Sequence, residues 1–205
     1  MTSRGARVAL VSLGVLVLVS LGISAIFLLR AGDEPQYRGS EPPATIMLPS
    51  FSLPDQSGRT VSSKELRGKV VAVTFLDSQC TESCPIIASQ IARTLERFPL
   101  DRRREVAAIA ISTDPEEDTP ESVQMFLAKN RAEETLRYLV APVEQLRPVW
   151  DSFHISASFD TGIDTLHSAP VRIFDREGKW VSTLHAGADL TSENLAHDLV
   201  VALDG

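Results

Sequence analysis

The sequence predicts an α/β domain built on a mixed β-sheet, and two observations lead to this prediction. Short apolar runs rich in β-branched residues alternate with amphipathic stretches of about ten or more residues, an order that favours parallel strands joined by helical crossovers. Near the C-terminus, two apolar runs are separated only by a turn sequence, which predicts an antiparallel pair. The chain has 205 residues, enough for one such domain after an apolar N-terminal segment is set aside.

The apolar N-terminal segment, residues 8–29, contains neither a charge nor a proline. It predicts one transmembrane helix, because a helix of about 20 residues spans a hydrocarbon core of roughly 30 Å. Arg4 and Arg7 precede it, so the positive-inside rule places the rest of the chain on the periplasmic or extracytoplasmic side of the cell membrane. A cleaved signal peptide is the alternative, and it exports the same domain.

Three regions follow from this division of the chain. Residues 1–30 form the predicted membrane anchor. Residues 31–45 are rich in proline, glycine and charged side chains, a composition typical of a flexible linker. Residues 46–205 form the predicted domain, because periodic apolar patterns begin there and continue to the C-terminus.

The first half of the domain begins with a predicted hairpin of residues 51–53 and 59–61 around a turn at residues 55–58. A capping-box pattern at residues 62–65 predicts one short turn of helix that ends at Gly68. The continuous apolar run at residues 69–76 is typical of a strand buried on both faces. A helix is expected over residues 85–97, since Pro85 suits its first turn and one face carries the apolar stripe Ile87, Ile91 and Leu95.

The second half continues the alternation of strands and helices. Thr119 and Pro120 suit the N-cap and first position of a helix, and Thr191 suits the cap of a last helix. The predicted elements are strands 106–111, 136–140, 171–174 and 180–184 and helices 120–130, 143–153 and 191–203. This order, with its N-terminal hairpin, predicts an α/β domain with a mixed sheet. It is compatible with the three-layer thioredoxin-like arrangement, a narrower assignment that depends on the motifs described below.

Charge and cysteine content exclude several functions. The net charge is −7, which argues against a nucleic-acid partner because phosphates attract basic surfaces. The chain has two cysteines, Cys80 and Cys84, too few for a disulfide-stapled fold. They form a redox pair, a metal-binding pair or an incidental pair, and two thiolates alone do not satisfy a closed four-ligand zinc site.

The position of the two cysteines favours chemistry over an incidental pair. Cys80 follows the predicted strand 69–76, and Cys84-Pro85 opens the next helix. Ligands gather at the carboxyl ends of strands in α/β sheets. A helix N-terminus also stabilises a thiolate, the form of cysteine that attacks disulfides and binds metals.

One histidine of the four is placed to join the cysteines. His167 follows the loop 161–164 and precedes the predicted strand 171–174, so in a thioredoxin-like fold it would lie next to the cysteine loop. His154, His185 and His197 are predicted to be surface or core residues. Two thiolates and one imidazole suit Cu(I), and Cu(II) could accept them with an added oxygen ligand.

These motifs together resemble the Sco/SenC family. The resemblance rests on Cys-x-x-x-Cys-Pro at residues 80–85, Ser-Thr-Asp-Pro-Glu-Glu-Asp-Thr-Pro at 112–120, His-Ser at 167–168 and Phe-Asp-Arg-Glu-Gly at 174–178. It implies a thioredoxin-like domain outside the membrane, with copper bound by Cys80, Cys84 and His167. It also implies that copper is delivered to the CuA centre of cytochrome c oxidase during its assembly. One departure is Thr81, where the family usually has proline.

Two functions follow from the resemblance and the residues. The first is a copper metallochaperone whose partners are a cytochrome c oxidase subunit or another copper protein and a thiol reductase that restores the cysteines. The alternative is an enzyme, a thiol-disulfide oxidoreductase that uses Cys80 and Cys84 to keep the cysteines of such a partner reduced. His167 discriminates between them, since a reductase needs no imidazole there. A peroxiredoxin-like peroxidase is disfavoured because residues 77–79, which lead into Cys80, do not supply the threonine that such a pocket needs.

Overall fold

The computed structural model describes residues 12–21, 36–155 and 170–205, and the chain divides into two compact units. The first unit, Met1–Gln36, contains helix α1 at residues 12–21. This helix lies inside the predicted span 8–29, whose other residues are outside the described part. Among the described residues, no helix has both the length and the apolar character needed to cross a membrane.

The second unit, Tyr37–Gly205, contains a two-stranded hairpin, a five-stranded sheet and five helices within its described residues. The hairpin strands β1 and β2 pair in antiparallel fashion. In chain order the elements are β1 Ser52–Pro54, β2 Thr60–Ser62, β3 Val70–Leu76, α2 Ser83–Arg97, α3 Leu100–Arg103, β4 Val106–Ser112, α4 Pro120–Lys129, β5 Arg137–Leu139, α5 Val143–Phe153, β6 Pro170–Phe174, β7 Trp180–His185 and α6 Ser192–Asp204.

The five-stranded sheet is mixed, as predicted. Its strand order is β5-β4-β3-β6-β7. Strand β4 runs parallel to both β3 and β5, whereas β6 runs antiparallel to both β3 and β7. The carboxyl ends of four strands therefore lie at the same end of the sheet, and β6 begins there. These four strands are β3, β4, β5 and β7.

Helices and the hairpin cover the two faces of the sheet. Alternate residues of β3 point to opposite faces, so Ala72 and Leu76 join the core beneath α2, α4 and α6, while Val73 and Phe75 join the core beneath α5 and the hairpin. The predicted stripe on α2 is buried, with Ile87 fully covered. The three-layer α/β/α arrangement thus follows from apolar surfaces on both faces of β3.

Two local predictions differ from the structure. The helical turn expected after Ser62 is wrong, because residues 63–68 form hydrogen-bonded turns instead. Glu65 N–H does donate to Ser62 Oγ at 3.3 Å, but the left-handed Gly68, with φ of +80°, leads the chain directly into β3. The short helix α3 was not predicted, since its four residues carry no periodic apolar pattern.

Residues 37–48 lie along β7, and we call them the edge segment. It begins inside the predicted linker 31–45. Ser40 and Thr183 exchange two backbone hydrogen bonds of 2.9 Å, and Trp180 N–H donates to Ile46 O at 2.8 Å. The fully buried Asp198 accepts from the N–H groups of Arg38 and Gly39 at 2.8 and 2.9 Å. Backbone pairing therefore attaches this part of the predicted linker to the domain.

The opposite edge of the sheet is covered by the hairpin. Val140 N–H, just after β5, donates to Pro54 O at 3.1 Å. Tyr138 N–H donates to the Gln56 side-chain oxygen at 2.9 Å. The outer backbone groups of both edge strands are thus partly satisfied by segments that precede β3 in the chain.

Candidate redox and metal site

The loop of residues 77–82, here called the cysteine loop, leaves the carboxyl end of β3 and leads into α2. Asp77 shapes it, because its side chain accepts from Gln79 N–H at 2.7 Å and its carbonyl accepts from Cys80 N–H at 3.3 Å. Glu82 is the N-cap of α2 and makes no side-chain cap bond. The first N–H groups of α2 are therefore free to face the cysteine sulfurs.

The structure brings the two cysteines together. No disulfide joins them in this structure; Cys80 is partly exposed and Cys84 is buried, with 6% of its surface accessible. The Cys84 thiol donates a hydrogen bond to the Cys80 sulfur. The pair thus has one accessible sulfur and one covered sulfur.

This geometry separates the acidities of the two thiols. The hydrogen bond from the Cys84 thiol, together with the backbone N–H groups of Cys84 and Glu82, lowers the pKa of Cys80 from 9.0 to about 5. The same hydrogen bond and burial raise the pKa of Cys84 far above its ordinary value. Near neutral pH the pair is therefore a Cys80 thiolate that accepts a hydrogen bond from a protonated Cys84.

Two carboxyl groups accompany the cysteines, one within the cysteine loop and one in contact with it. Burial raises the pKa of Asp77 to about 6, and the nearby charges of Asp118, Asp114 and Cys80 add to this effect. Asp118 is 1% exposed, and burial raises its pKa as well. Its two oxygens accept from Ser78 N–H and from the Tyr138 hydroxyl, each at 2.8 Å.

The histidines have different places in the structure. His154 ends α5 in a left-handed conformation with φ of 54°. His185 ends β7, and the Nδ1 of His197 in α6 lies 3.0 Å from Asp198. His167 falls in residues 156–169, outside the described part of the chain, and among the residues described no group of three or more histidine, cysteine or acidic side chains is arranged to hold a metal. The described site therefore supplies the two sulfurs of the predicted ligand set.

Sequence analysis did not assign roles to Asp118 and Tyr138. Asp118 belongs to the 112–120 motif, so the motif marked the region without indicating which carboxylate turns inward. Tyr138 is the central residue of a three-residue strand, and nothing in its local sequence points to a residue 20 positions away.

Fold and site together define a thioredoxin-like protein with an asymmetric cysteine pair at a strand-to-helix junction. The family model SCO1/SenC matches residues 39–203. The chain belongs to the SCO1/SenC family.

Two curated relatives illustrate the breadth of the family. A putative copper-binding protein of Stutzerimonas stutzeri is 28% identical over 85 residues, which is 42% of each chain. The match thus spans less than half of that relative. A SCO2-like protein of Rickettsia typhi is 26% identical over 152 residues, covering 71% of this chain and 72% of the relative.

Solved structures share the fold. Copper-bound ScoI of Bradyrhizobium japonicum has a TM-score of 0.60 and 27% identity, covering 77% of this chain and 100% of its own. BsSco, described as a member of the Sco family of cytochrome c oxidase assembly proteins, has a TM-score of 0.64 and 20% identity, covering 80% and 96%. The thioredoxin domain of a Bacteroides vulgatus thiol-disulfide oxidoreductase has a TM-score of 0.56 and 20% identity, covering 73% and 94%.

Proposed function

We propose that this chain is a copper metallochaperone that binds copper through Cys80, Cys84 and His167 and delivers it to the CuA site of cytochrome c oxidase during assembly. The observation that carries the proposal is the pair of adjacent sulfurs, one of them held as a thiolate. The copper bound in the B. japonicum structure and the name of the S. stutzeri relative, a putative copper-binding protein, support the cargo. The description of BsSco as an oxidase assembly protein supports the destination.

The donor set fits copper. Thiolates are soft ligands that favour Cu(I), and an imidazole from His167 would complete a three-ligand set. Cys80 is ready to bind, whereas Cys84 must release its proton to the solvent when the metal arrives. Copper uptake by this site is thus coupled to the loss of about one proton near neutral pH.

A second function, thiol-disulfide exchange, is favoured by the asymmetry of the pair. The accessible Cys80 thiolate would attack a partner disulfide, forming a mixed disulfide and releasing one partner thiolate. Cys84, after losing its proton, would attack the Cys80 sulfur, forming the Cys80–Cys84 disulfide and releasing the second partner thiolate. Two electrons pass to the partner, and a thiol reductase must then restore the cysteines.

The substitution His167→Ala separates the two functions. The reduced full chain, purified in detergent, is expected to bind one copper ion, and His167→Ala is expected to weaken this binding on the order of tenfold or more because an imidazole ligand is lost. Disulfide exchange should stay close to the wild-type rate, since both sulfurs remain. Copper affinity is measured by competition with a Cu(I) chelator, and exchange by reduction of a model disulfide.

The matched control is His185→Ala, which removes an imidazole at the end of β7 and should leave copper affinity unchanged. Unchanged affinity in His167→Ala, together with slower exchange, would contradict the metallochaperone proposal. It would favour the oxidoreductase, with His167 as a proton-transfer group.

We also propose that residues 8–29 anchor the protein in the cell membrane as a single span, with the domain on the periplasmic or extracytoplasmic side. The apolar composition of this segment and the preceding Arg4 and Arg7 support the orientation. A reporter that is active only after export, fused behind Gly205, is expected to be active. A cytoplasmic reporter at the same position should be inactive, and the reverse pattern would contradict the orientation.

A further inference from the structure

The start of the cysteine loop is held by a part of the chain 40 or more residues away. Ser78 N–H donates to Asp118 Oδ1 at 2.8 Å, and the Ser78 hydroxyl donates to Ser122 Oγ at 3.1 Å. Ser122 is itself fixed, because its hydroxyl donates to Glu117 O at 2.8 Å. Two hydrogen bonds thus attach the loop to the segment between β4 and α4.

The Asp118 carboxylate has a rigid support of its own. Its second oxygen accepts from the hydroxyl of Tyr138, which is completely buried on β5. The Tyr138 ring packs edge-to-face against Phe126 of α4, with ring centroids 6.1 Å apart. The position of Asp118 is therefore set by β5 and α4, two elements outside the cysteine loop.

Loop position matters because it sets how closely the two sulfurs can approach. Cys84 is fixed in the first turn of α2, whereas Cys80 belongs to the cysteine loop, two residues after Ser78. A disulfide forms only within narrow limits of distance and angle, so a displaced loop would bring the two sulfurs together less often.

We propose that Asp118, supported by Tyr138, is a positioning residue for the cysteine pair: it holds the cysteine loop where Cys80 can meet Cys84. It does not touch the sulfurs in this role. The inference deepens the proposed function and rests on it only in treating Cys80 and Cys84 as the functional pair. Its test is carried out without copper, so failure of the copper proposal and failure of this inference give different results.

The test is the equilibrium of the full chain with glutathione, in which the Cys80–Cys84 disulfide and two glutathione thiols exchange to give the reduced cysteine pair and one glutathione disulfide. Asp118→Ala releases the loop, so the two sulfurs meet less often and the protein disulfide forms less readily. We expect the equilibrium to shift about tenfold toward the protein dithiol, which corresponds to about 30 mV. Asp118→Asn should stay near the wild-type value, since its amide oxygen can accept from Ser78 N–H and its amide nitrogen can donate to the Tyr138 oxygen.

The matched control is Asp198→Ala, which removes another buried carboxylate that accepts several hydrogen bonds, here at the edge segment. Its melting temperature should fall while its equilibrium with glutathione stays unchanged. If Asp118→Ala does not fold, Tyr138→Phe provides the same test, because it removes the supporting hydroxyl and keeps the ring. It should shift the equilibrium in the same direction by a smaller factor.

The asparagine and phenylalanine variants separate positioning from a charge effect. Loss of a negative charge near the sulfurs would move Asp118→Ala and Asp118→Asn equally toward the dithiol and would leave Tyr138→Phe unchanged. That result would overturn the inference. An unchanged equilibrium in the folded Asp118→Ala protein, or in Tyr138→Phe where the alanine variant does not fold, would overturn it as well.

Discussion

The alkylation rate of Cys80 in the reduced protein is expected to vary by less than about twofold between pH 6 and pH 8, since its pKa is about 5. A thiol with the ordinary pKa of 9.0 would slow roughly 100-fold over the same interval, because its thiolate fraction falls tenfold for each pH unit. The rate should halve only near pH 5. Stopped-flow reaction with iodoacetamide, with the site of modification read by mass spectrometry, measures this profile.

The shape of the profile is more informative than the rate at one pH. A thiolate of low pKa is a weaker nucleophile, with a Brønsted coefficient of about 0.4–0.5. At pH 7 this loss of nucleophilicity largely cancels the gain from the larger thiolate fraction. Cys84→Ala tests the cause, because it removes the thiol that contributes most to the lowered pKa. Its inflection should move upward toward the ordinary thiol range. A wild-type inflection near 9 would contradict the site geometry.

Oxidation of Cys80 and Cys84 to a disulfide is expected to abolish copper binding. Thiolate is the form of cysteine that binds metals, and the sulfurs of a disulfide carry no negative charge and are weak donors. Cys80→Ser should weaken binding of Cu(I) by more than about 100-fold, beyond the 10–100-fold cost typical of losing an outer-shell partner. Metal analysis after gel filtration, with and without prior reduction by a non-thiol reductant, measures both effects.

Reversibility provides the control for this prediction. Reduction of the oxidised protein should restore one copper ion per chain, which excludes damage to the fold as the cause. Retention of copper by the oxidised protein would show that the metal binds elsewhere in the chain. The sulfur-based proposal would then be wrong.

Much of the fold could be predicted because its signals are local. The buried strand β3 is a continuous apolar run, and Thr119 caps α4 as its sequence indicates, with Ser122 N–H donating to the Thr119 side chain at 3.2 Å. The adjacent position of Cys80 and Cys84 follows from their spacing across the start of α2. Each of these features depends on residues within one element or its flanking turn.

The features that could not be predicted from the sequence depend on contacts between residues far apart in the chain. The edge segment looks like a linker in sequence because its proline, glycine and charged residues are typical of one; its order comes from Asp198, which lies about 160 positions away. Gly39 also owes its place to a distant residue: it packs so closely against β7 that a Cβ at this position would lie 2.3 Å from Ser182 Oγ. Likewise, the role of Asp118 depends on Ser78 and Tyr138, and no local pattern connects the three.

The covering of both sheet edges has a consequence for how this protein meets its partners. Extended peptides often bind by adding a strand to an open sheet edge. Here backbone groups of β7 are paired with Ser40 and Ile46, and those beside β5 with Pro54 and Gln56. Strand addition is therefore disfavoured at both edges. A protein partner of the kind proposed above would then be recognised through side chains rather than through backbone pairing, which favours brief encounters over lasting complexes.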